Sequence, residues 1–104
     1  MNLSNVFQKL SPNTPILQAT FGLERESLRI NTEGRVAQTP HPEKLGSRSF
    51  HPYIQTDYSE PQLELITPVA QSTTEARRFL GAITDVAIRS MDKSEYLWPL
   101  SMPP

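Results

Sequence analysis

The period of hydrophobic and polar positions changes along the chain, and each change predicts an element. Val6, Phe7 and Leu10 make a short helical run, which stops at residues 11–15, Ser-Pro-Asn-Thr-Pro, where two prolines and an asparagine discourage continuation. From residue 17 to residue 30 the period falls to two, predicting a strand. Phe21, Leu23, Arg25, Ser27 and Arg29 share one face, and Glu24, Glu26, Leu28 and Ile30 share the other. Asn31 to Arg35 supplies asparagine and glycine for a turn into Val36–Thr39, so a β-hairpin is expected. Pro40 to Pro52 follows as a long irregular connection over the surface. His41 and His51 each precede a proline there and are biased towards extended backbone.

Residues 53–69 look like strand on both sides of Pro61. Proline cannot donate to a sheet ladder, so Pro61 marks an edge, a bulge or the start of a new strand. Asp57 and Glu64 are seven apart and fall on opposite faces of a regular strand. One extra residue at a bulge near Pro61 would bring both to the same side, and such an irregularity is expected. From Ser72 the period changes again. Ser72-Thr-Thr-Glu75 forms a capping box, and Ala76, Phe79, Leu80, Ile83, Val86, Ala87 and Met91 recur at three- and four-residue steps. An amphipathic helix over about 73–91 is predicted, and its stripe needs a sheet face to cover. The expected fold class is therefore α+β: an antiparallel sheet with an amphipathic helix packed on one face. The tail, residues 95–104, holds Leu97-Trp98-Pro99-Leu100 with no polar finish, and reads as a chain that continues.

With 104 residues the chain fits one domain, residues 1–104, with a small core. Ten Lys plus Arg against eleven Asp plus Glu leave a net charge of -1, which offers no basic field for nucleic acid or an anionic membrane. Cysteine is absent, so there is no thiolate nucleophile, disulfide or cysteine metal site. A reducing compartment is favoured, and a soluble cytoplasmic location is expected. No segment approaches the ~20 apolar residues of a membrane span, and no glycine-rich loop could cradle phosphate by backbone amides alone.

The informative feature is the set Glu24, Glu26, Asp57, Glu60 and Glu64, on segments that otherwise read as sheet. The bland reading is a solvated strand face decorated with acids. The functional reading starts from repulsion: carboxylates converging on one face ask for a cation between them. Oxygen-only ligands suit Mg²⁺ or Mn²⁺ rather than zinc, and Mg²⁺ completes its octahedron with water and substrate phosphate, which points to ATP. A glycosidase acid pair would need only two of these groups, and the aromatic density of a sugar-stacking groove is missing.

The segments FGLERESLRI (21–30), TPHPEKLGS (39–47), HPYIQTDYSEPQLELITPV (51–69) and LWPLSMP (97–103) together resemble the N-terminus of bacterial glutamate–cysteine ligase. Their spacing is most similar to the bifunctional form fused to a glutathione synthetase module. The resemblance covers essentially the entire chain. It implies part of a glutamine-synthetase-like ligase fold, with ATP as co-substrate and L-glutamate and L-cysteine as substrates. The family phosphorylates the γ-carboxylate of glutamate, and cysteine's amine then attacks the acyl phosphate to give γ-glutamylcysteine. By the family pattern Glu24, Glu26, Asp57 and Glu64 match metal- and substrate-lining positions, and Mg²⁺, with Mn²⁺ as substitute, is the implied cofactor. Glu60 ranks below these four.

The resemblance also implies that the remaining ligands, most nucleotide contacts and the cysteine pocket lie after residue 104, in the remainder of the ligase domain. The 104-residue chain alone is expected to be inactive, to bind Mg²⁺ weakly and to self-associate or be marginally stable. A non-catalytic binding or structural module reusing these strands is the alternative. Arg25 and Arg29, opposite in parity to the acids, are expected to brace the outer face. His41 and His51 read as surface groups, and Tyr58 and Trp98 as core or interdomain packing.

Overall fold

The computed structural model describes residues 2–10, 18–56 and 58–104. Strands β1 (Glu24–Ile30), β2 (Ile54–Gln55), β3 (Gln62–Ile66) and β4 (Tyr96–Leu97) form one sheet in the order β2-β3-β1-β4. All pairings are antiparallel. Helix α1 spans Leu3–Gln8 and helix α2 spans Thr73–Ser90, so the α+β expectation holds. The Asn2 side chain caps α1 by accepting the Ser4 amide, and none of the residues in α1 is buried.

The predicted β-hairpin after β1 is present as a turn with a single bridge. The Asn31 amide donates to the Arg35 carbonyl at 2.8 Å, and Ile30 bridges Val36. Gly34 supplies the turn's positive φ of 76°, a region that side chains with a Cβ rarely enter. Residues 40–52 are irregular as expected, apart from one 3₁₀ turn at Glu43–Leu45.

Around Pro61 the expected bulge is replaced by a reversal. β2 and β3 are antiparallel partners, with Ile54 opposite Leu65 and Gln55 opposite Glu64, so Pro61 stands just before a new strand. Its missing N–H costs the ladder nothing there, while its carbonyl accepts the Arg29 amide at 2.7 Å.

Register decides which face is core. Across β1 and β3, Arg25 faces Leu65 and Ser27 faces Leu63, so the Arg25–Ser27–Arg29 face shares a side with Ile54, Leu63 and Leu65. α2 packs on that side. The core gathers Leu45, Ile54, Leu63, Leu65, Ala87 and Met91, with Leu80, Ile83 and Leu97 packed against it. The face read as outer is therefore the covered one, a correction that only the pairing could supply. Ser72 caps α2 as predicted, its hydroxyl accepting the Glu75 amide at 3.1 Å. Val86 departs from the predicted stripe and is half-exposed.

The tail contains a strand that its composition did not announce. Tyr96 pairs with Ile30 and Leu97 with Arg29, and the Trp98 amide continues the contact by donating to the Leu28 carbonyl at 2.8 Å.

Candidate functional site

The uncovered sheet face carries the acids. Glu24, Glu26 and Leu28 alternate along β1, and Glu26 lies directly opposite Glu64 of β3. Side chains so paired have Cβ atoms about 5 Å apart, and like charges there destabilise the sheet. Gln55 of β2 lies opposite Glu64 on the other side, so Glu26, Glu64 and Gln55 form one row across three strands. The Gln62 side-chain amide donates to Glu26 Oε2 at 2.9 Å. Glu24 sits two residues before Glu26 on the same face, opposite Ile66. Thus Glu24, Glu26 and Glu64 lie on one face of the sheet, Glu26 and Glu64 directly opposite each other, while Asp57 lies outside the described residues.

Glu60 belongs elsewhere. It is in the loop before β3, its carboxylate accepts the His41 amide at 3.3 Å, and its carbonyl accepts from Arg29. It is thus separated from the acidic row.

Beside Glu26 the tail folds back to form a groove of about 370 Å³. Glu26, Leu28, Tyr58 and Gln62 line one side, and Leu100, Ser101 and Pro103 the other. Tyr58 is 90% exposed in this wall, so it is not a core residue of this chain. Trp98 is half-buried and donates its indole N–H to the Met102 carbonyl at 2.6 Å, which holds the tail's turn.

The donor chemistry fits a hard divalent cation: carboxylate and amide oxygens, with two carboxylates forced into opposition. Among the described residues no group of three or more His, Cys, Asp or Glu side chains forms a metal cluster. Gln55 and Gln62 escaped the sequence reading. Gln62 shares the parity of Glu64 and was findable from alternation, whereas Gln55 joins the row only through pairing across the β2–β3 reversal.

The covered face holds a different electrostatic arrangement. Arg29, 1% exposed, pairs with Glu95 at 2.9 Å, so the expected bracing role is met by an acid from a neighbouring segment, on the inside. His41 is buried rather than a surface group, with Nδ1 2.8 Å from the Thr56 hydroxyl. Burial first, and then the nearby Arg29 guanidinium, hold its pKa below the ordinary imidazole value of 6.5. His51, half-exposed, accepts the amides of Tyr53 and Ile54 at Nδ1 and so shapes the entry to β2. Among the described residues no helix is long and apolar enough to cross a membrane.

Comparison with known proteins places these features in one group. The sequence profile of the family described as glutamate-cysteine ligase matches residues 5–104. The chain is 68% identical over 104 residues to the glutathione biosynthesis bifunctional protein GshAB of Streptococcus thermophilus, covering 100% of this chain and 14% of that protein. It is 59% identical to the protein of the same name from Enterococcus faecalis, again over 14% of that protein. Among solved structures, a bifunctional glutathione synthetase from Pasteurella multocida aligns with a TM-score of 0.79 and 50% identity, over 83% of this chain and 12% of that one. A glutamate–cysteine ligase from Francisella tularensis, solved in complex with AMP, aligns with a TM-score of 0.81 and 34% identity, over 83% of this chain and 17% of that one. The chain thus spans about one seventh of the length of the curated relatives it matches.

Proposed function

The chain belongs to the glutamate–cysteine ligase family, and from that membership we propose that it serves ATP-dependent joining of the γ-carboxylate of L-glutamate to L-cysteine. This is the first step of glutathione biosynthesis, and it would take place in the cytoplasm. In this reading residues 1–104 are the N-terminal part of a ligase domain, and the other ligands and the nucleotide and cysteine contacts come from the remainder of a longer protein. The observation that carries it is the family match over residues 5–104, and the metal reading is supported by the opposition of Glu26 and Glu64 on the open sheet face.

Two carboxylates paired across a ladder are unfavourable alone and become favourable around a divalent cation. Glu24, Glu26 and Glu64 would hold Mg²⁺, or Mn²⁺ in its place, with Asp57 as a further ligand. When bound, such a cation offsets the charge on the peripheral oxygens of a transferring phosphoryl group. The chain's own task is positioning: β1 and β3 fix the carboxylates on rigid backbone, and Gln62 orients Glu26 through its 2.9 Å hydrogen bond.

The test measures ADP release dependent on ATP, glutamate and cysteine in the full-length protein and in its Glu24→Gln and Glu64→Gln variants. Loss of a metal ligand should lower turnover by about 100-fold or more, at least the upper end of what outer-shell partners cost. Undiminished turnover in both variants would sink the assignment. The 104-residue chain alone is expected to give no turnover, and γ-glutamylcysteine formed by it would overturn that.

A further inference from the structure

We propose that Arg29 is a positioning residue: from the covered side of the sheet it fixes both walls of the groove beside Glu26 on the open side. The role rests on the metal-site reading of the acidic row that this groove adjoins at Glu26. The Arg29 guanidinium makes four hydrogen bonds to three segments distant from β1 in sequence. Nη1 donates to the Thr39 hydroxyl at 2.7 Å and to Glu95 Oε2 at 2.9 Å. Nη2 donates to the Thr39 carbonyl at 2.9 Å and to the Glu60 carbonyl at 3.2 Å. The Thr39 hydroxyl closes the circuit by donating to the other oxygen of Glu95.

Two of these segments are the roots of the groove walls. The Glu60 carbonyl ends the loop that carries Tyr58 and Ser59 along Glu26, and the Arg29 backbone amide holds the adjoining Pro61 carbonyl at 2.7 Å. Glu95 immediately precedes β4, and the chain then runs through Trp98 to the opposite wall at Leu100, Ser101 and Pro103. One planar fork thus sets the spacing between loop and tail, which a point charge could not do.

Burial sharpens the inference. Both side chains of the pair are almost fully buried, at 1% and 4% exposure. Charges in such a place gain little over well-packed apolar groups, so stability is a weak reason for them. The geometry they impose is the stronger one: a buried network with several fixed directions admits one arrangement of its attached loops.

The experiment replaces the pair by apolar groups, Arg29→Met with Glu95→Leu, in the full-length protein. Melting, local amide hydrogen exchange and the Mn²⁺ concentration giving half-maximal ligation are then measured. The expected result is a folded protein whose amides at Tyr58–Glu60 and Leu100–Met102 exchange at least about ten-fold faster while those of α2 keep their rates. Its Mn²⁺ requirement should rise about 10- to 100-fold, the range for groups that orient metal ligands, with a smaller change in limiting rate. Unchanged exchange at both walls, or faster exchange with an unchanged Mn²⁺ requirement, overturns the proposal. Should the double variant fail to fold, Arg29→Lys takes its place. It keeps the charge but not the fork, and unaltered exchange with an unaltered requirement in it overturns the proposal equally. Glu26→Gln measured alongside separates the two readings: an unchanged Mn²⁺ requirement there removes the metal site, and wall exchange alone then decides the role of Arg29.

Discussion

The two faces of the sheet treat charge in opposite ways. On the covered face Arg29 and Glu95 lie out of water, each compensated by the other and by neutral acceptors and donors. On the open face Glu26 and Glu64 stand opposite each other with the same sign. The covered face pairs opposite charges within the fold, whereas the open face sets two like charges side by side.

The contrast can be tested on two paired strands. Leu65 is fully buried on the covered face, so Leu65→Ala should cost about 2–5 kcal/mol in urea denaturation. Glu24→Gln, on the open face of the neighbouring strand, should change stability by less than about 0.5 kcal/mol without divalent cation. Comparable losses in both variants would erase the distinction between the faces.

A cation should sharpen it further. In the full-length protein Mn²⁺ at about 100 times its dissociation constant should stabilise by about 2.7 kcal/mol, visible as a raised melting temperature. Glu26→Gln should lose most of that shift while keeping its melting temperature in chelator, and an equal shift in both proteins would show that the cation binds elsewhere. Smaller again is the cap of α2, the helix that makes one face covered. Ser72→Ala should cost about 1 kcal/mol in the same denaturation experiment, and no loss would mean that the 3.1 Å hydroxyl–amide contact does not anchor the helix.

The smallest effect is a pH dependence seated under the covered face. His41 is held neutral in the fold, its pKa below 6.5 through burial and the Arg29 charge. Above 6.5 both folded and unfolded chains carry it neutral and it contributes nothing. As pH falls below 6.5 the unfolded chain takes up a proton that the folded chain refuses, so stability should decline until the lowered folded pKa is reached. Melting between pH 7 and pH 5 in wild type and His41→Gln checks this: the variant should show the shallower decline.

Much of this was legible in the sequence, for reasons that differ between elements. α2 could be read to within a residue because its cap and its 3.6-residue stripe are local signals. β1 was legible as a strand for the same reason, and Glu24 and Glu26 as same-face acids followed from alternation alone. The side of the sheet that α2 covers was not legible, since β1 carries polar residues on both faces and only Leu63 and Leu65, aligned by the ladder, mark one as interior. β4 was missed because two residues carry too little pattern to register. His41 was misread because a histidine before proline gives no sign of the loop, the Thr56 hydroxyl and the guanidinium that enclose it.

Helix α2, the period of β1 and the family follow from neighbours along the chain or from the order of motifs. That Glu64 faces Glu26, that Gln55 joins their row and that Arg29 reaches Glu95 across 66 positions follows from contacts between distant segments. Pairing between distant segments fixes register, and in a sheet of period two a one-residue change of register would carry every side chain to the other face.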